Sequence, residues 1–281
     1  MTYYRRPYGG GRGRGGFNKI GLIIALLFAG FSLFKYFSQS QFNEITGENQ
    51  RISITVEEEI QLGLQSTRLM IGQHGGLYPN EKDQALVKAV GKRLVDNSIA
   101  RSTTYEYDFH LLADPNTINA FALPGGQCFI TYALYNKLEN EDQLAGVMGH
   151  EIGHVIARHG AERIAKQELT AGLTGAAVIA AGDYGSAQAA QMIAGMVNMK
   201  YGRQQELESD DLGIRFMIEA GYDPTQMKGV MRILKEASSG NSQPEFMSTH
   251  PDPGNRMEEI DKSIEKYAGR LLKPPKHPND R

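Results

Sequence analysis

The chain has no tryptophan and a single cysteine, Cys128, among its 281 residues. One thiol excludes an intramolecular disulfide framework, and its default reading is a buried, inert side chain. Net charge is also scarce: 30 basic and 32 acidic side chains leave −2, so any electrostatic role must come from how charge is distributed. Acidic residues are missing altogether from residues 1–19, MTYYRRPYGGGRGRGGFNK, which carry Arg5, Arg6, Arg12, Arg14 and Lys19. This basic arm reads as disordered. One GRGRGG is not an array of Arg-Gly repeats, so nucleic acid is not the expected partner and the arm reads as a topological signal. The chain has no internal repeats.

After the arm comes a long apolar run, IGLIIALLFAGFSLFKYF, residues 20–37. As a helix it would measure about 27 Å, enough to cross a bilayer core with Lys35 reaching the interface. The basic residues precede it and Glu44 and Glu48 come after it, which places the N-terminus in the cytoplasm and the remainder on the far side. The rival reading is a signal peptide cleaved near Ser38 and Ser40. The length of the run and the bulky aromatics beside that point favour an uncleaved anchor.

Residues 38–52 read as a polar connector, 53–268 as one globular domain and 269–281 as a disordered tail. Within the domain, TVEEEIQLGLQSTRLMIG and a stretch capped by Asn80 have helical periodicity. YEYDFHLLADP alternates as a strand, and NAFALPGGQCFITYAL reads as a hairpin about Pro124, Gly125 and Gly126. Asn140, followed by Glu141 and Asp142, starts a helix with Leu144, Met148, Ile152 and Val155 as its apolar stripe. Residues 170–199 read as a pair of tightly packed or mobile helices, too short and too interrupted by Asp183 to span a membrane, a gate over a cleft being the sharper reading. A helix at 203–220, another opened by Pro224 and a last amphipathic helix complete the domain. The fold class is therefore α+β, mainly helical, with a small antiparallel sheet and an N-terminal transmembrane helix.

The chemistry is concentrated in GHEIGH, residues 149–154. Positions four apart on a helix differ by about 40° in direction, so His150 and His154 can face one ion, while Glu151, about 100° round, reaches the same cleft without binding it. Two neutral imidazoles leave room for a third protein ligand and a water, the pattern of a catalytic zinc site. RQQELESDD supplies the candidate: Glu206 and Asp210 lie i,i+4, so Glu206 can bind the ion while Asp210 accepts the N–H of a ligand histidine. Glu208 points elsewhere on that helix and reads as solvated. His159, about 140° from His154, reads as a surface residue or as a support to a ligand. These residues alone indicate a metal-dependent hydrolase.

HEIGH at 150–154, ELESD at 206–210, NAFALPGG at 119–126 and THPDPGNR at 249–256 together resemble the membrane-linked zinc endopeptidases of the HtpX, BepA/LoiP and Oma-type group, which includes the CAAX-prenyl endopeptidase. The likeness runs from Thr46 to Tyr267. It implies the gluzincin (zincin) fold, one Zn2+ per chain held by His150, His154 and Glu206, Asp210 as helper and Glu151 as general base. It also implies that Asn119, Ala120, Phe121 and Ala122 form an edge strand on which substrate adds as a strand, and that His250 and Arg256 are cleft groups that stabilise the oxyanion. His250 is further expected to occupy the fourth position of the ion at rest and keep the enzyme latent. The chain differs from the HtpX branch in its single anchor and from BepA in having no evident C-terminal helical-repeat region. The expected setting is a bacterial inner membrane with the catalytic domain extracytoplasmic, a mitochondrial inner membrane being the alternative. The expected substrates are unfolded or damaged membrane and envelope proteins. The competing reading is a membrane-tethered chaperone or adaptor with a latent or vestigial metal site. No residue pattern indicates an oligomeric state.

Overall fold

A computed structural model describes residues 19–181, 200–238, 244–252 and 254–271. Most of the basic arm, the segment 182–199, which holds most of the expected helix pair and gate, residues 239–243 and 253, and the tail from residue 272 lie outside them.

The first helix, α1 (Lys19–Ser38), buries only Ala25 of its side chains and exposes Ile20, Leu26, Leu27 and Phe34. It is the one helix among the described residues long and apolar enough to cross a membrane. The stretch expected as a plain connector is instead a hairpin, β1 (Ser40–Asn43) with β2 (Glu48–Arg51), paired antiparallel around Gly47 at φ 76°. Its polar composition hides this, because the buried side chains are Asn43 and Gln50, which hydrogen-bond each other at 3.0 Å. Two helices come next, α2 (Val56–Gln73), opened by a Thr55–Glu58 capping box, and α3 (Glu81–Asp96), capped by Asn80.

The sheet contains β3 (Asp108–Leu112), β4 (Ala120–Ala122) and β5 (Gln127–Thr131) in the order β3-β5-β4. β4 and β5 form the expected antiparallel hairpin, but β3 pairs with β5 in parallel, so the sheet is mixed rather than antiparallel. The reason is topological: the chain reverses once before β4 and once after it, so β3 and β5 run the same way with β5 inserted between the other two. β4 is left on an edge.

A one-turn helix α4 (Tyr132–Tyr135) leads to α5 (Glu141–Ile156), which carries both histidines of GHEIGH. Every residue of α5 from Gln143 to Ile156 is buried, so it is the central helix of the domain and not a half-exposed amphipathic one. It is covered by β4, β5 and α3, and by the later helices α7 (Arg203–Glu219) and α8 (Gln226–Ala237). Between them α6 (His159–Ala181) leaves the domain and packs against α1. Lys35 pairs with Glu168 at 2.8 Å. A short α9 (Glu245–Thr249) precedes α10 (Arg256–Leu271), which closes the bundle.

α5 and α7 approach closely because glycines face each other across the contact. A Cβ at Gly149 would lie 3.2 Å from the Gly213 carbonyl oxygen, and one at Gly153 would lie 2.9 Å from that of Ser209. Backbone cannot yield as a flexible side chain does, so Gly153→Val should force the two helices apart at a cost of about 1–3 kcal/mol. The check is a thermal melt, with Gly72→Val, which would meet nothing within 4 Å, as the control.

Candidate metal centre

α5 ends at Ile156, and Arg158 then adopts φ 52°, which turns the chain sharply into α6. That bend is held from several directions. The Arg158 guanidinium pairs with Glu59 and donates to Gln41 Oε1 at 2.8 Å and to the Ile54 carbonyl at 3.1 Å. Asn43 donates to the Ile156 carbonyl at 2.9 Å and Gln50 to the Ala157 carbonyl at 2.5 Å. The hairpin after α1 therefore satisfies carbonyls at the C-terminus of α5 that have no partner within the helix.

Four side chains from three parts of the fold converge beside α5. His150, His154, Glu206 and His250 each offer one donor atom, all within 4.8 Å of one another, and all four residues are buried. The Nε2 atoms of His150 and His154 are 3.0 Å apart, and the Nε2 of each lies 3.6 and 3.5 Å respectively from a Glu206 carboxylate oxygen. His250 Nδ1 lies 3.1 Å from Glu206 Oε1 and 3.2 Å from His150 Nε2. Donors at the corners of a tetrahedron with bonds of about 2.0 Å would be roughly 3.3 Å apart, so the spacing and the nitrogen–oxygen chemistry fit one small cation. Glu206 Oε2 accepts no hydrogen bond among the described residues, as expected of an oxygen kept for something besides protein, while His250 Nε2, also without a hydrogen bond there, points to the Glu151 side.

Glu151 is fully buried next to this cluster, and neither of its carboxylate oxygens has a partner among the described residues. Burial raises its pKa against the opposing pull of His250 and His150. Its Oε1 is 3.8 Å from His250 Nε2.

Around the cluster, two hydrogen-bonded chains fix the imidazoles. Asp210 Oδ1 lies 2.8 Å from His150 Nδ1, and Arg256 grips the same carboxylate twice, Nε to Oδ2 at 2.6 Å and Nη2 to Oδ1 at 2.8 Å. Burial alone would raise the Asp210 pKa, but the Arg256 guanidinium and His150 hold it down at about 2. Burial opposes charge on His150, and Asp210 more than compensates, so its pKa is raised. His154 shows the opposite balance: burial and the neighbouring imidazoles lower its pKa, favouring the neutral ring. Arg256 thus lies behind Asp210, with Nη1 3.4 Å from Glu206 Oε2, while His250 lies on the Glu151 side.

The second chain involves residues whose placement helical spacing does not indicate. His159 is fully buried, with Nδ1 2.9 Å from His154 Nδ1, and its Nε2 lies 2.9 Å from Glu208 Oε2. If His154 keeps Nε2 free of a proton, its Nδ1–H donates to His159, whose Nε2–H donates to Glu208. A wheel drawn through residues 154–159 fails because the helix breaks at Arg158, so His159 starts a new helix and points back. Glu208, expected to be solvated, meets it there. Tyr201 is another residue that sequence reasoning misses: its ring stacks on His154 at 3.8 Å, and no spacing rule relates a loop tyrosine to a helix 47 positions earlier. Cys128 is buried as expected, and burial pushes its thiol pKa well up.

Ala120, Phe121 and Ala122 form β4 with Asn119 just before it, on the free edge of the sheet. A groove lined by Asn119, Phe121, Ala122, Tyr201, Thr249 and His250 connects that edge to the cluster.

Comparison with known proteins places this geometry in a family. The model of peptidase family M48 matches residues 81–264. The beta-barrel assembly-enhancing protease of Escherichia coli strain K12 is 30% identical over 224 residues, covering 75% of this chain and 45% of the relative. That of Yersinia pestis is 31% identical over 225 residues with the same coverage. The mitochondrial metalloendopeptidase OMA1 of Schizosaccharomyces pombe is 26% identical over 242 residues, covering 85% of this chain and 70% of the relative. The chain thus spans about half the length of the bacterial relatives it matches. The matched region contains the whole histidine–glutamate cluster, and the chain belongs to peptidase family M48.

Proposed function

We propose that this chain is a zinc-dependent endopeptidase tethered to a membrane by residues 20–37, with His150, His154 and Glu206 as zinc ligands and Glu151 as general base. One observation carries the reading: a fully buried carboxylate that accepts no hydrogen bond among the described residues lies beside four converging donors. A purely structural site would not need Glu151, a carboxylate that makes no protein hydrogen bond among the described residues. When bound, zinc supplies a Lewis acid that polarises the scissile carbonyl.

The rest is done by side chains of the chain. Glu151 takes a proton from the attacking water and delivers it to the leaving amine, a task suited to a carboxylate whose pKa burial has raised. His250 Nε2 faces this side and can donate to the oxyanion. Arg256 acts as a positioning residue through Asp210, which fixes the tautomer of His150. Asn119, Ala120, Phe121 and Ala122 offer their free strand edge to an extended peptide. Unfolded or damaged membrane and envelope proteins are the proposed substrates. The names of the relatives support this: one set enhances assembly of beta-barrels, the other is mitochondrial. A bacterial inner membrane, with the domain extracytoplasmic, is the proposed setting, on the charge asymmetry around α1.

The test is metal analysis of the purified full chain in detergent, with cleavage of an unfolded protein such as casein. The expected result is about one zinc per chain and hydrolysis that a chelator stops and added zinc restores. Absence of metal under zinc-replete conditions would sink the proposal, and bound zinc without cleavage would favour the chaperone reading.

His159→Ala should weaken zinc binding roughly 10- to 100-fold, measured by competition with a chromogenic chelator; unchanged affinity would show the Glu208–His159 chain to be incidental. His250 lies within the donor cluster itself, as a latent arrangement requires. If that contact restrains the enzyme, His250→Ala should cleave casein several-fold faster than wild type, whereas a purely catalytic His250 predicts roughly a 100-fold loss.

A further inference from the structure

A cavity of about 380 Å³ opens where the anchor helix meets the rest of the chain, and its walls include Tyr36, Arg51, Glu162, Arg163, Lys166 and Lys200. We propose that this cavity binds the phosphate of an anionic phospholipid headgroup.

Charge supports this first. Four cationic side chains face one carboxylate, and that carboxylate, Glu162, is already engaged by Gln205 Nε2 at 2.7 Å. Lys166 and Lys200 are exposed and form no ion pair among the described residues. An anion can therefore engage them without breaking an ion pair among the described residues, and guanidinium and ammonium groups are the usual donors to phosphate oxygens.

Position selects a lipid as the source of that phosphate. α6 runs antiparallel to α1: Glu168 meets Lys35, and a Cβ on Gly172 would collide with the Ser32 side chain. Lys166, two residues before Glu168, thus sits at the depth of the last turns of the anchor. Tyr36 forms part of the cavity wall, and the Arg51 guanidinium lies over the Tyr36 and Phe37 rings, 5.5 and 4.9 Å from their centroids. Aromatic and basic residues together at the end of an apolar helix mark the headgroup level of a bilayer. Exposed Phe31 and Phe34 lie further along α1, where acyl chains would run. An occupant would also touch Tyr201, the ring stacked on His154, so the site lies one side chain from the metal centre.

The test is native mass spectrometry of the full chain in detergent, titrated with phosphatidylglycerol or phosphatidylcholine. Lys166→Gln/Lys200→Gln is compared with wild type, and a variant with Arg5, Arg6, Arg12 and Arg14 changed to Gln controls for the basic arm. The expected result is one phosphatidylglycerol bound at least about tenfold more tightly than phosphatidylcholine, and at least about tenfold more weakly by the lysine variant, with the arm variant unchanged. Equal binding by the lysine variant, or a loss that tracks the arm instead, would overturn the proposal. Displacement of the lipid by millimolar inorganic phosphate would assign the cavity to free phosphate and overturn the lipid assignment. Both lysines are exposed, so matching melting curves verify that the variant is folded; neither readout depends on the metal centre.

Discussion

Glu151→Gln should leave metal content and fold intact and reduce peptide hydrolysis by roughly 10³-fold. The amide has nearly the volume of the carboxylate, so a side chain with no exposure loses no packing. It also removes a buried charge that has no protein hydrogen bond among the described residues, so the variant should melt at or above the wild-type temperature. What it cannot do is accept a proton from water and return it to an amine. The informative measurement is zinc content, melting temperature and casein cleavage on the same preparation. Near-normal turnover with zinc bound would remove Glu151 from the mechanism, and loss of zinc would make it a structural support instead.

Arg256→Ala should destabilise the protein by about 3–5 kcal/mol, because it strips a buried carboxylate of its cation. Both oxygens of Asp210 are bonded to the guanidinium, and Glu206 lies 3.4 Å from Nη1. Asp210 and Glu206 would then share a buried space with one positive partner fewer. For a domain of this size the loss corresponds to a fall in melting temperature of roughly 10 °C. The double variant Arg256→Ala/Asp210→Asn should recover part of it, since the uncompensated charge is gone, and that non-additivity is the signature of a direct pair. A single variant that melts like wild type would show that the ion pair contributes nothing net.

The difference between these two residues illustrates what a linear reading can see. Glu151 is placed by local geometry: it comes directly after His150 on an uninterrupted helix, so its direction relative to both histidines is set by 3.6 residues per turn. The same rule predicts the shared face of Glu206 and Asp210 on α7. Arg256 starts α10, 46 residues after Asp210, and nothing local shows whether its guanidinium meets substrate or a carboxylate. Resemblance suggests a cleft group; the fold places it behind Asp210. His159 marks the same limit from the other side, since an i,i+5 spacing puts it off the ligand face until one residue, Arg158, breaks the helix.

Patterns of polarity mislead where buried groups are polar. Asn43 and Gln50 make residues 38–52 look like a connector, yet their amides hold the end of α5. The mixed sheet is hidden for another reason: alternation identifies strands, but only the path between β3 and β4 decides which strand lies in the middle.

Local signals suffice for the apolar run of α1, the Asn80 cap, the hairpin about Gly125 and Gly126, and the HExxH and ExxxD spacings. Each depends on backbone geometry within a few residues, so a linear pattern carries it in full. Three-dimensional packing was needed to lay α6 along the anchor, to bring His250 into the donor cluster, and to set Arg256, His159 and Glu208 in support of its histidines. Those placements arise from long-range contacts through glycines and buried ion pairs, where the cost of leaving a charge unpaired selects partners that are far apart in the chain.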